Sequence, residues 1–590
     1  MLGKRSPQRG MFEADHLYLD FVGPDTFYGF LARHRAEIFR DEDFAMLYCR
    51  DNGRNSVPPS LLATALLLQA HDRVSDAEAK RRADLDLSWK VALGIEIDER
   101  PFAKSTLQLF RAQLILHDQA RAIFQRSLEY ARDTGYLKGR KMKAALDTTF
   151  ILGRGAVKDT YNLLADGIKK LIWTLGKRIE RVKPKAWAQE HGLGRYFGSS
   201  IKGQAEIDWD DEEARRAFLQ GIVADADRLL ETARETLAQV PAGSKQEKQI
   251  MQAAELLAQL LCQDIERKDD DEGPALKQGV AKDRIVSVHD PEMRHGHKSA
   301  KKRFEGHKAA IAVDPDTQLI TAVDVLPGNA YDSEGALHLV EQSEENTGMQ
   351  VDETIGDCAY GDGATREAFD QVGRKLIARV PRRPNRGFFP KEDFDINLEA
   401  MTCTCPAGQV TDTLVSAGRR KARDGGYETG QAFRFDGAVC AACELRAACV
   451  RAGPGKGRTV SLHPQERLLQ EARALQNSPA FREYQELRQA AEHRLARMVQ
   501  LGVRQARYFG RTKTLFQALM AATAANFTLI ARKTGEMGIE KSVKRATAFL
   551  WSCYRAMANG FSKHWMLLTS FSRLSTTISP SWGPGFRPVF

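Results

Sequence analysis

Long apolar runs are what this 590-residue chain has least of. Its uncharged stretches read as shorter than the roughly 18 residues a membrane helix needs, so a membrane protein is not expected. Met1-Leu2-Gly3-Lys4-Arg5-Ser6 has charges but no apolar core behind them. No secretory leader is expected from it, and a cytoplasmic location is the default. Cysteine is thin over most of the chain: Cys49, Cys262, Cys358 and Cys553 stand alone. The other five, Cys403, Cys405, Cys440, Cys443 and Cys449, crowd into one segment. In a reducing compartment such a cluster reads as a metal site before it reads as disulfides.

Hydrophobic residues are not lacking. At 43% hydrophobic and 28% charged, the composition excludes a disordered chain. The length is well past the size at which one core stops growing, so several domains are expected. A net charge of +10 and a pI near 9.0 favour a polyanionic partner, because released counterions drive association with phosphates.

Residues 1–138 read as a helical N-terminal domain suited to DNA docking. Ser60 is expected to cap a buried helix through Leu61-Leu62-Ala63, Ser75 opens a capping box with Glu78, and Ser105 caps a third helix. Residues 140–160 carry a buried strand. Residues 161–282 form a helical insertion with apolar stripes such as Leu164, Ile168, Leu171 and Leu175. The acidic run Asp269-Asp270-Asp271-Glu272 closes it. Residues 283–397 read as strand, hairpin, helix, strand, helix, strand, with the hairpin turn at Asp314-Pro315-Asp316-Thr317. That order implies a mixed α/β core, with helices on both faces of a central sheet. Residues 398–460 are a Cys-rich insertion without periodicity, 461–535 return to helix, and 536–590 read as a C-terminal helix and loose tail.

Three acids stand in distinctive settings. Asp147 and Asp357 each end an apolar stretch and are expected at strand ends, and Glu492 lies in a long helical pattern. Phosphodiester cleavage needs an activated oxygen nucleophile and charge relief at the leaving oxygen. Two Mg²⁺ ions about 3.5–4 Å apart supply both. Mg²⁺ takes carboxylates and keeps several waters, so three acids suffice; Mn²⁺ is the substitute.

Leu146-Asp147-Thr148-Thr149 and Gly356-Asp357-Cys358-Ala359-Tyr360-Gly361 resemble the first and second aspartate motifs of the DDE-type transposases of bacterial insertion sequences. Arg488 stands four residues before Glu492, as in that family's third motif. Asp290-Pro291-Glu292-Met293-Arg294-His295-Gly296, Phe304-Glu305-Gly306-His307-Lys308 and Pro327-Gly328-Asn329-Ala330-Tyr331-Asp332 extend the resemblance. It implies an RNase H-like core with Asp147, Asp357 and Glu492 as catalytic metal ligands. It also implies a double-stranded DNA substrate comprising element ends and target, a homodimer that pairs two ends, and a nucleoid-associated location. Two positions depart from the pattern: Tyr484 lies four residues before Arg488 rather than three, and Val499 stands where a Lys is usual. Glu486 and Glu483 are rival third ligands, and Arg488 serves equally as an intrahelical partner of Glu492 or as a phosphate contact.

Candidate DNA contacts are Arg294, His295, His297, Lys298, Lys301, Lys302 and Arg303, then Arg379, Arg382, Arg383 and Arg386, then Arg504, Arg507, Arg511 and Lys513. Cys405, Cys440, Cys443 and Cys449 could give a tetrahedral thiolate site for structural Zn²⁺, with an iron–sulfur cluster or free thiols as alternatives. His289, His295, His297 and His307 are not read as a metal site, because the surrounding Lys and Arg repel a cation. The expected activity is DNA cleavage and strand transfer at the ends of an insertion sequence. The rivals are a nuclease of the same fold without strand transfer and an inactive DNA-binding derivative.

Overall fold

The computed structural model describes residues 1–6, 10–267, 273–299, 301–381, 385–421 and 426–533. The acidic run 269–272, Arg382, Arg383 and the expected C-terminal helix and tail lie outside the described residues. Five strands build the central sheet: β1 (Lys141–Leu152), β2 (Arg303–Val313), β3 (Ile320–Pro327), β4 (Gln350–Ile355) and β5 (Lys375–Ile377). Their order is β3-β2-β1-β4-β5. β2 runs antiparallel to β1 and β3, and β4 runs parallel to both β1 and β5. A sixth short strand, Arg294–His297, pairs with the start of β2 beyond the end of β3.

β1 is central and buried through Ala144, Ala145 and Leu146, as a strand covered on both faces must be. Helix α1 (Ala336–Thr347) covers one face, where the Thr347 hydroxyl meets Met142 Sδ at 3.6 Å. After α2 (Gly363–Gln371), helix α3 (Phe481–Gln500) packs along β1 on the face that carries Asp147.

Helix α4 (Arg511–Lys533) corrects the reading of the apolar runs. It holds an 18-residue window of mean hydropathy 1.4, long and apolar enough to cross a membrane, yet 78% of that window is buried inside the protein. A helix apolar all round belongs in a core. Phe527 of α4 meets the rings of Phe30, Phe39 and Tyr130 at 6.3, 6.5 and 5.9 Å. Asn526 donates to the Ile320 carbonyl at 2.9 Å and accepts from the Ile320 N–H at 3.0 Å, where the β2–β3 register shifts at the start of β3. The N-terminal helices and the sheet consequently share one hydrophobic core.

In that N-terminal region Ser75 caps its helix as expected, accepting from the Glu78 N–H. Ser60 and Ser105 do not cap: Pro58 and Ala103 hold those positions, and the Ser60 N–H donates instead to Asp41.

The insertion folds around its own core. Helices Thr160–Trp173, Glu212–Leu237 and Lys245–Asp264 bury Ile168, Leu171, Ile222, Leu229, Leu257 and Leu260 against one another. The Cys-rich segment is not structureless. Two small three-stranded sheets enclose Phe394, Cys403, Phe433, Phe435 and Val460.

Candidate active site

Asp147 does not stand at a strand end. β1 continues five residues further, to Leu152. The pairing of β1 with β4 stops at Ala145↔Ile355, whereas its pairing with β2 continues to Leu152↔Gly306. Beyond Ala145 the two parallel strands part. Asp147 lies in the opening, and Asp357 lies two residues past the end of β4. Asp357 then turns the chain, accepting the Ala359 N–H at 2.8 Å. Gly356 is required there, because a Cβ would come within 2.8 Å of the Tyr360 side chain.

The site is electrostatically one unit. Burial pushes the Asp147 carboxyl up to about 6; the charges of Asp357 and Glu492 add to this, while the Thr148 N–H at 2.7 Å and Arg488 pull the other way. Asp357 is also raised, first by burial and then by Asp332 and Glu492, against the Ala359 N–H and Arg488. Arg488 grips Glu492 at 2.6 Å, the intrahelical pair foreseen as one of its two roles, and leaves Glu492 49% exposed. Glu486 is exposed and lies near Arg482 at 3.6 Å instead. Tyr484 points away from the carboxylates and donates to Glu353 at 2.8 Å, with Lys143 over its ring at 5.2 Å.

Three further groups border the aspartates. Lys308, buried on β2, binds Asp332 at 2.8 Å and the Ala330 carbonyl at 2.7 Å. Tyr360 is buried, and its hydroxyl is without a hydrogen-bond partner among the described residues. Burial first, then Asp147, Asp332 and Asp357, push its phenol far above the ordinary value. Lys308, Asp332 and Tyr360 all fall in motifs visible in the sequence, but nothing local marks them as neighbours of Asp147.

The basic residues divide by use. Arg294 folds onto the carbonyls of Pro291 and Met293 at 2.5 and 2.9 Å. His295 meets Glu305 at 3.1 Å, and Arg507 donates to the Val74 carbonyl at 2.8 Å. Arg504 stacks 3.9 Å from the Phe150 ring centroid and donates to Thr149 and to the Phe150 carbonyl. Lys298, Lys301, Lys302 and Arg303 remain exposed, with Lys298 and Lys302 also over Phe150 at 5.6 and 5.3 Å.

Among the described residues, no three His, Cys, Asp or Glu side chains are gathered closely enough to hold a metal ion. The tetrahedral zinc site expected from Cys405, Cys440, Cys443 and Cys449 is accordingly not formed. All four thiols line one small cavity of about 20 Å³, which they share with Phe389, Phe435, Arg446 and Arg458. Within it Cys440 Sγ accepts the Arg458 N–H at 3.5 Å.

Residues 404–531 match the family model of a transposase DDE domain, and residues 18–113 match that of a transposase domain, DUF772. The first match contains Glu492 and the cysteine cavity but begins after Asp147 and Asp357. No curated protein and no solved structure matches the chain.

Proposed function

We propose that this chain, a DDE-type transposase of insertion sequences, binds the ends of its element, cleaves them and joins the freed 3′ ends to target DNA. The observation that carries the reading is the coupling of Asp147 with Asp357, Arg488 and Glu492 where β1 and β4 part. The same coupling favours Glu492 over Glu486 as the third carboxylate. The strand order β3-β2-β1-β4-β5, with only β2 reversed, supports an RNase H-like core.

The donor set fits Mg²⁺ or Mn²⁺: hard carboxylate oxygens, two of them on rigid backbone, whose burial and mutual repulsion a cation would relieve. As they stand, Asp147, Asp357 and Glu492 are not gathered closely enough to hold it; they would do so once Glu492 leaves Arg488 and closes on the two aspartates. When bound, such ions activate the attacking oxygen and neutralise the leaving one. The chain's own residues do the rest. Asp147 must give up its proton to serve as a ligand, which its raised pKa delays until about pH 6. Lys298, Lys301, Lys302 and Arg303 face solvent at the end of the sheet toward which Asp147 opens, and there they would meet phosphates. Arg504 instead braces Thr149, two residues from Asp147. A homodimer would pair two element ends in the cytoplasm, at the nucleoid.

A strand-transfer assay with pre-cut ends tests the reading. Joined products from the wild type, lost in Asp147→Asn, Asp357→Asn and Glu492→Gln with DNA binding retained, are expected. Cleavage without joining would leave a nuclease. Binding unaccompanied by cleavage would leave an inactive derivative.

A further inference from the structure

We propose that the helical insertion carries a second DNA-binding surface, centred on Trp173, Lys177 and Arg178, that holds duplex flanking the candidate active site. The proposal rests on the DNA-processing reading above and extends it to a part of the chain that the reading leaves idle.

The insertion is electrically divided. Residues 165–204 contain nine Lys and Arg against three Asp and Glu, whereas residues 205–237 contain four against ten. Acids of the second part are engaged by arginines: Arg195 and Arg228 bind Asp225, Arg216 binds Glu212, and Arg267 binds Asp227. In the basic part Arg195 is paired in this way, but the cations around Trp173 are not. Lys177, Arg178, Arg181, Lys183 and Lys185 are exposed, and none has a carboxylate partner among the described residues. Unpaired cations grouped on one surface attract a polyanion and gain by releasing its counterions.

An aromatic group stands among them. Trp173 is 38% exposed, with Lys177 Nζ 4.5 Å and the Arg178 guanidinium 5.1 Å from its ring. A regular α-helix brings residue i+4 onto residue i and turns i+5 away. Here the turn Thr174–Glu180 is a π-helix, whose wider spacing brings both cations to one ring. Such turns are rare and concentrate at functional sites. Basic side chains interleaved with an exposed aromatic suit a nucleic-acid backbone better than an apolar protein face.

The placement fits as well. The helix Thr160–Trp173 starts at the insertion's stem, where Arg284 binds Asp264 at 2.7 Å and Thr160 donates to Asp264 at 3.1 Å. Both stem strands lead to one end of the sheet, through Leu152 and through Arg294–His297, the end toward which Asp147 opens. Fourteen helical residues carry Trp173 roughly 20 Å from that stem. At about 3.4 Å per base pair, this is roughly six base pairs along a duplex.

The test uses the full chain with random-sequence duplexes of 40 and 12 base pairs, titrated over a range of salt. Lys177→Gln with Arg178→Gln should weaken binding to the long duplex on the order of 10-fold and reduce the salt slope by about two. Trp173→Ala should weaken it too, and thermal melts confirm that the variants fold. On the 12-base-pair duplex, about 40 Å long and still able to reach Trp173, the difference should persist. Equal affinity and slope for variant and wild type on the long duplex would overturn the proposal but leave the DNA reading intact. Failure of the wild type to bind either duplex would overturn both. A salt-sensitive dimer without DNA, lost in the double variant, would assign the surface to the acidic half of a second copy and overturn it as well.

Discussion

Asparagine in place of Asp147 should make the metal-free protein more stable above pH 6. The folded-state carboxyl titrates near 6 against an ordinary value of 3.8. Between those values the folded protein keeps a proton that the unfolded chain has lost, so stability falls as pH rises through the window. Above pH 6 the whole cost is present, and 2.2 units at 1.36 kcal/mol each give about 3 kcal/mol. Below 3.8 both states hold the proton and the cost vanishes. Asparagine has no proton to lose, and its amide oxygen can still accept the Thr148 N–H that Asp147 accepts at 2.7 Å. Urea unfolding in EDTA, of wild type and Asp147→Asn, at pH 4 and pH 8, measures the difference. The gain should approach 3 kcal/mol at pH 8 and be small at pH 4. A variant less stable than wild type at pH 8, or an equal gain at both, would refute the reasoning. Mg²⁺ should then stabilise the wild type at pH 8, by about 2.7 kcal/mol at one hundred times its Kd, and leave the variant unchanged.

Asn526→Ala should cost about 2–4 kcal/mol, because it strands the buried N–H and carbonyl of Ile320; a loss under 1 kcal/mol in urea unfolding would show that water replaces the amide. Alkylation followed by mass spectrometry should label the exposed Cys49, Cys262 and Cys358 quickly at pH 8. Cys403, buried and with its thiol pushed up to about 11 by burial, should label only on unfolding.

Much of the fold was legible because its signals are local. Ala144-Ala145-Leu146 reads as a buried strand, the Asp314 turn as a hairpin, and the stripe of Leu164, Ile168, Leu171 and Leu175 as a helix face, and all three stand where expected. What escaped depends on distant partners. The strands of the Cys-rich segment run only two to eight residues and leave no periodicity to read. Alanines and threonines dilute the apolar run of α4, whose burial comes from Phe30, Phe39 and Tyr130, roughly 400 to 500 residues earlier. Asp147 looked like a strand terminus because its apolar run ends there. The strand goes on, and what ends is its pairing with β4, which the sequence of β1 cannot record.

The third carboxylate shows how a local spacing can be right and still leave its purpose open. Arg488 and Glu492 are four apart on α3 and are paired, at 2.6 Å, as any exposed Arg and Glu at that spacing tend to be. On an ordinary surface that pair would contribute little. Here it faces two aspartates, and Arg488 lowers the pKa of both while Glu492 raises them. An arginine beside three carboxylates offsets their repulsion in the absence of a cation, and a divalent ion would do the same more strongly. If the two compete, Arg488→Gln should bring the Mg²⁺-induced rise in Tm to half-saturation at a lower Mg²⁺ concentration than in the wild type. It should also raise the pH at which that rise begins, since Asp147 and Asp357 would then hold their protons longer. Half-saturation at a higher concentration would show instead that Arg488 aims Glu492 at the ion, and the competition would have to be abandoned.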